Sequence, residues 1–233
     1  MANTMQFDLE GRHYDLSAPT ALQLSTFHLI VEAYYKLQDF TIPPPRNIVD
    51  VGACIGKMSL TLNCIWPEAR IVAIEPHPVS FEYLKGNCAP MPKIECLKIA
   101  ASDKEETFRI SLPAPKQKTD CRSGAENIGM ASRFGTLDTY AAEVNAKRLD
   151  DIIDFPVDFL KIDVEGMEIA VLNGARRILT EDRPHIQIEI RKTNQAMAGF
   201  APEDVARCLD GFGYSPIGKM FGDPWFTYHG IKP

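Results

Sequence analysis

The chain has 233 residues, 45% hydrophobic and 24% charged, with a formal net charge of -6. That length suits one generous α/β domain with little room for a second core, and the acidic balance argues against a duplex DNA or long RNA partner. No run is apolar and long enough to span a membrane, the first ten residues carry Asp8 and Glu10 and do not read as a leader, and the six cysteines show neither CxxC nor zinc-ligand spacing, so free thiols in a cytoplasm are expected.

The first expected element is a helix from Thr20 to Phe40, where Leu24, Phe27, Ile30, Val31, Tyr34 and Leu37 recur on one face behind Pro19. Pro43, Pro44 and Pro45 forbid its continuation and mark the join between an N-terminal helical lid, residues 1–45, and the main domain, residues 46–233. Strands and helices then alternate. Strands are expected at Ile48–Val51, Arg70–Ile74, Ile94–Ala100, Val157–Val164 and His185–Ile190, with an extra one at Thr107–Leu112. Helices are expected at Lys57–Ile65, Val79–Cys88, Met167–Leu179 and Pro202–Asp210. Tyr214–Met220 and Phe226–Ile231 pair as a closing hairpin around Gly222, Asp223 and Pro224. This alternation predicts a mostly parallel sheet covered on both faces, with ligands beyond the carboxyl ends of the strands.

Those strand ends carry the chemistry. The first runs into Asp50-Val51-Gly52-Ala53-Cys54-Ile55-Gly56, where Gly52 permits a sharp turn and Gly56 a close helix start. The spacing is GxxxG, not the GxGxxG of dinucleotide enzymes. Asp50 would oppose a pyrophosphate but attract a ligand with an ammonium and a sulfonium, such as S-adenosylmethionine. A tight turn with an acidic helix cap explains the same residues. The second strand ends in Ile74-Glu75-Pro76, with Glu75 at the distance from the glycine loop expected of a ribose-holding carboxylate. Its two oxygens match the two ribose hydroxyls of an adenosine; a solvated strand-end Glu is the plain alternative. The third ends in Ala100-Ala101-Ser102-Asp103, where small side chains leave room for a flat base and Ser102 or Asp103 can meet its amine, although an ordinary turn has the same letters.

The fourth strand, Phe159-Leu160-Lys161-Ile162-Asp163-Val164-Glu165-Gly166-Met167-Glu168, crowds three carboxylates at the binding edge. Charges this close should raise at least one pKa unless a cation, from a cofactor or a metal, compensates. Capping of the next helix accounts for Glu165 or Glu168 but does not require Asp163. The fifth strand ends at Glu189, facing an acceptor or paired with Arg191 or Lys192.

Asn47–Leu60, Ile74-Glu75-Pro76, Ala101-Ser102-Asp103, Arg148-Leu149-Asp150-Asp151-Ile152, and Leu160–Glu168 followed by Val171-Leu172-Asn173-Gly174-Ala175 together resemble the FkbM family of methyltransferases over roughly residues 46 to 191. Asn127-Ile128-Gly129-Met130-Ala131-Ser132 is similar to the family's Asn/Gly/Ser segment, while Cys54 stands where the family often has Asn. The resemblance implies a Rossmann-like class I methyltransferase fold, with a seven-stranded sheet, an antiparallel C-terminal hairpin and an added N-terminal helix. It implies S-adenosylmethionine as cofactor, with Asp50, Gly52, Gly56 and Glu75 holding it; Ala53, Pro76, Ala101, Ser102 and Asp163 complete the expected cofactor site. The resemblance puts Asp163 and Glu165 on the catalytic side; by their own chemistry Asp163, its pKa raised toward neutrality by acidic neighbours, is the first choice of base, Glu165 the second and Glu189 the third. No metal is assigned, although a divalent cation on these acids is an alternative.

The expected reaction is O-methylation of a small molecule or sugar, with no nucleic-acid or membrane partner. A cofactor-binding protein without turnover and an NAD-type oxidoreductase are the competing readings; Asp50 and the GxxxG spacing disfavour the second. Methylation of base amino groups is set aside, because the Asn/Asp-Pro-Pro-aromatic motif is missing after the fourth strand.

Overall fold

The computed structural model describes residues 3–9, 12–19, 42–112, 128–136, 138, 141–220 and 223–228. In chain order the strands are β1 (Asn3–Leu9), β2 (Arg12–Ala18), β3 (Asn47–Val51), β4 (Arg70–Ile74), β5 (Ile94–Leu97), β6 (Ala100–Ala101), β7 (Glu106–Ile110), β8 (Ala142–Lys147), β9 (Phe159–Ile162), β10 (His185–Ile188), β11 (Tyr214–Met220) and β12 (Asp223–Tyr228). The helices are α1 (Lys57–Ile65), α2 (Pro78–Cys88), α3 (Leu149–Ile152), α4 (Glu168–Asn173), α5 (Lys192–Met197) and α6 (Pro202–Gly211).

The main sheet has seven strands in the order β11-β12-β10-β9-β3-β4-β5. From β10 to β5 the pairing is parallel, and β12 runs antiparallel to both β10 and β11. This is the mostly parallel sheet and closing hairpin expected of a Rossmann-like class I methyltransferase. The sequence explains the centre: β9 is buried at every position and β3 at all but its first, as apolar runs covered on both faces must be. Register sets Asp50 opposite Ala73 on one side and Lys161 on the other. Asp50 and Lys161 therefore share a face of the sheet, where the two charges can meet.

A second sheet of three strands, β6-β8-β7, stands beside the first. The strand expected over Ile94–Ala100 is divided between the two: β5 stays in the main sheet and β6 pairs with β8. The helix expected over Met167–Leu179 is also interrupted. Its α-helical part stops at Asn173 and resumes as a π-turn at Ile178–Asp182. Gly174 lies between, and a Cβ there would come 1.9 Å from the Ser102 carbonyl oxygen, so the chain crosses where no side chain fits. The closing turn is tighter than expected, since Asp223 and Pro224 already belong to β12; Gly222 lies outside the described residues.

The expected helix over Thr20–Phe40 lies outside the described residues. Ahead of it β1 and β2 form an antiparallel hairpin. Tyr14, Leu16 and Ala18, alternating along β2, are buried in one cluster with Ala53, Ile55 and Leu84. Asn87 of α2 fastens this hairpin to the glycine loop: its amide donates to the Ser17 carbonyl at 2.9 Å and the Ile55 carbonyl at 2.8 Å, while its oxygen accepts the Ser17 amide at 2.8 Å.

Candidate active site

Where β3, β4 and β9 end a cleft opens, at the carboxyl edge of the sheet where ligands of such folds bind. Gly52, Glu75, Pro76, Ala101, Asp163 and Glu165 line it, six residues expected at the site from sequence. Two loops make its floor. Gly52 has φ +82°, and a Cβ on it would fall 1.7 Å from the Asp163 carbonyl oxygen, so the β3 loop and the end of β9 touch only because this residue is glycine. Gly56, at φ +92°, starts α1 with no side-chain cap. Cys54 adopts φ +52°, a left-handed geometry that asparagine tolerates better than most residues. The hydrogen bond its backbone must make is present: Cys54 N donates to Glu75 Oε2 at 2.9 Å.

Glu75 also accepts from His77 N at 2.8 Å. Burial outweighs both amide bonds and pushes its pKa up to about 7. A carboxylate fixed at both oxygens yet facing a cleft is a preset acceptor for hydroxyl donors.

Asp50, Ala53 and Ser102 are buried and do not line the cleft. Asp50 accepts from Ser59 Oγ at 2.6 Å and lies 3.4 Å from Lys161 Nζ. Ser102 Oγ donates to Glu106 Oε1 at 3.1 Å. Asp50 thus reaches the cleft only through Lys161, whose ammonium is also 3.3 Å from the Gly52 carbonyl oxygen and 3.4 Å from Asp163 Oδ2. Burial disfavours charge on Lys161, but Asp163 and Asp50 override it and hold the pKa above the ordinary lysine value.

Lys161 reverses one expectation. Burial would raise the pKa of Asp163, but the ammonium beside it and a hydrogen bond from Glu189 outweigh burial and lower it. The raised carboxyls are its neighbours. Burial, then the charge of Asp163, lifts Glu165 to about 8 and Glu189 to about 9. The compensating cation is the chain's own lysine, and the sequence held a signal for it: a lysine inside an apolar strand cannot stay buried without an anionic partner.

Asp163, Glu165 and Glu189 each bring one oxygen within 4.8 Å of the others. Glu189 is held by Arg191 Nη2 at 2.6 Å, the ion pair weighed for it from sequence, and is not among the residues that line the cleft. Glu165 sits at φ +51° in the turn after β9, where Gly166 follows at φ +107°. A non-glycine residue held there carries backbone strain of about 1–3 kcal/mol, a recurrent feature of active sites. Helix α5 braces the turn. Asn194 donates to Glu165 Oε2, and Gln195 donates to Glu168 Oε2. Sequence reading missed Asn194 and Gln195 because polar side chains turned inward leave no hydrophobic period.

Comparison with known proteins identifies the family. The methyltransferase FkbM domain matches residues 50–216. Methyltransferase sdnD of Sordaria araneosa is 31% identical over 163 residues, 57% of this chain and 61% of that protein. The 2-O-methyltransferase NoeI of Sinorhizobium fredii (strain NBRC 101917 / NGR234) is 23% identical over 151 residues, 60% of this chain and 61% of that protein. The matched regions therefore span about three fifths of these relatives' length. The crystal structure of methyltransferase FkbM from Methylobacillus flagellatus KT superposes with a TM-score of 0.51 at 19% identity, covering 87% of this chain and 52% of that one, a likeness of fold. With more than half its length matched, the chain belongs to the FkbM methyltransferase family, whose methyl donor is S-adenosylmethionine.

Proposed function

We propose that the chain transfers the methyl group of S-adenosylmethionine to a hydroxyl oxygen of a small molecule or sugar. The observation that carries this reading is the carboxyl cluster of Asp163, Glu165 and Glu189 at the edge of the cleft that holds Glu75. A cleft lined by carboxyls suits a cationic cofactor, whose charge on binding favours their ionised forms. NoeI, by its name a 2-O-methyltransferase, supports oxygen as the acceptor atom.

When bound, the cofactor supplies an electrophilic methyl on a sulfonium. Glu75 takes the ribose hydroxyls. Gly52, Ala53 and Gly56 shape the loop against which the cofactor rests, Pro76 ends the β4 wall, and Ala101 and Ser102 set the base side. Asp50, through Lys161, keeps Asp163 ionised as the counter-charge. Glu165 becomes the leading base in place of Asp163: it faces the cleft and its raised pKa lies near working pH, where a general base is most effective. Glu189, tied to Arg191, is the reserve. Residues 46–233 would form the catalytic unit, with residues 1–45 added to it.

Isotope-labelled S-adenosylmethionine, offered with hydroxylated metabolites and sugars and read by mass spectrometry, should reveal a methylated product. On that acceptor Glu165→Gln and Asp163→Asn should each lower turnover by about a hundredfold, with cofactor affinity within a few-fold of wild type in Glu165→Gln and weakened in Asp163→Asn, which loses the counter-charge. Full turnover in both variants would remove the cluster from the mechanism. A second reading gives the three carboxylates a divalent cation, since their oxygens converge. Activity lost in EDTA and restored by magnesium would favour it.

A further inference from the structure

The end of the cleft beyond Glu75 is built by parts of which the sequence marked only Ala100 and Ala101 as room for a base. Strands β6 and β7 of the small sheet contribute Ala100, Ala101, Phe108 and Ile110 to its lining, and the segment after the 3-10 turn Ile128–Met130 contributes Arg133. Backbone bonds fasten that segment to the end of β7: Ser111 and Ser132 each donate to the other's carbonyl at 2.9 Å. Gly135 lets it approach, since a Cβ there would lie 1.8 Å from the Ser111 carbonyl oxygen.

Arg133 adds a forked ion pair, with Nη1 2.6 Å from Glu106 Oε1 and Nη2 3.3 Å from Oε2. Its guanidinium carbon lies 4.6 Å from the centre of the Phe108 ring. Ser102 Oγ donates to the same Glu106. The result is a preformed apolar wall of two alanines, an isoleucine and a half-buried aromatic ring, latched by a charged pair.

Sheet order says what meets it. Gly52 and Asp163 follow β3 and β9, Glu75 follows β4, and the wall follows β5. A cofactor with its ribose at Glu75 and its methionyl end over Gly52 and Asp163 extends its base toward the wall. The geometry points to Phe108 as the side chain on which the adenine of the cofactor rests, and to Arg133 as the positioning residue that, forked onto Glu106, keeps the latch closed. This rests on the reading of Glu75 as the ribose residue. Aromatic rings hold bases through their π-faces, and a wall formed before the ligand arrives needs no ordering on binding.

Calorimetry with S-adenosylhomocysteine and with adenosine tests the assignment without an acceptor. Phe108→Ala should weaken both ligands by about tenfold, because the loss falls on the base that they share. Phe108→Tyr should restore wild-type affinity, and the emission of a Phe108→Trp variant should be quenched when adenosine is added. Arg133→Ala and Glu106→Gln should each weaken binding several-fold, and the double variant no more than either alone, since both remove one latch. If Phe108→Ala does not fold, Phe108→Leu keeps the apolar volume without the aromatic face and should still weaken both ligands. Wild-type protein that binds S-adenosylhomocysteine alongside a folded Phe108 variant, Ala or Leu, that binds within twofold of it would overturn the base wall alone. Wild-type protein that binds neither ligand would overturn the cofactor reading together with it.

Discussion

Three carboxyls, two buried and one partly so, hold more of their protons in the folded chain than carboxyls ordinarily do. Glu75, Glu165 and Glu189 rise from 4.5 to about 7, 8 and 9. The fold favours their protonated forms, so their contribution to stability is whole below pH 4.5 and is lost as pH climbs through those raised values. Asp163, lowered by Lys161, acts in the opposite direction and only in acid. The melting temperature of ligand-free protein should therefore fall as pH rises from neutrality toward about 9, and Glu165→Gln or Glu189→Gln should flatten the fall. Scanning calorimetry across that interval checks it; an unchanged slope in both variants would mean the two carboxyls do not carry the shift. The sequence displayed these acids but not their order of acidity. That order depends on which of them Lys161 touches, and contact between β3 and β9 is a property of the sheet, not of either strand's letters.

At the scale of elements, legibility followed the source of each element's burial. β3, β4, α1 and α2 announce themselves because apolar side chains fill their inner faces. β8, Ala-Glu-Val-Asn-Ala-Lys, does not: only Val144 and Ala146 turn inward, and alanine, asparagine and lysine are poor strand formers. The β1–β2 hairpin carried a period of two at Tyr14, Leu16 and Ala18 that escaped notice beside the longer helical pattern after Pro19. The loops, by contrast, were legible through their glycines, and Gly52 makes the sharpest test. Gly52→Ala would drive a methyl into the Asp163 carbonyl oxygen at a positive φ. We expect a loss of about 2–4 kcal/mol in urea unfolding, from overpacking plus backbone strain, with cofactor binding abolished. A variant of wild-type stability would show that the two loops are not in contact.

The molecule as a whole is acidic, yet its cleft gathers the acids that suit a cation, so its choice of ligand should show in bulk stability. S-adenosylmethionine at about a hundred times its Kd should add about 2.7 kcal/mol, a rise of roughly 5–10 °C in Tm at this size, and NAD should add nothing. A shift with NAD and none with S-adenosylmethionine would reverse the assignment. Among the described residues Cys88, Cys96 and Cys208 are free thiols; Cys121 lies outside them. One feature of the large sheet bears on how the chain is made. Strand β12 is inserted between β10 and β11, which precede it in sequence and do not pair with each other. While the chain is being synthesised, β10 and β11 leave the ribosome with the edges meant for β12 exposed, and bare strand edges invite pairing with other chains. The sheet stays vulnerable until β12 slides in, so it is sealed from within and not at its edge.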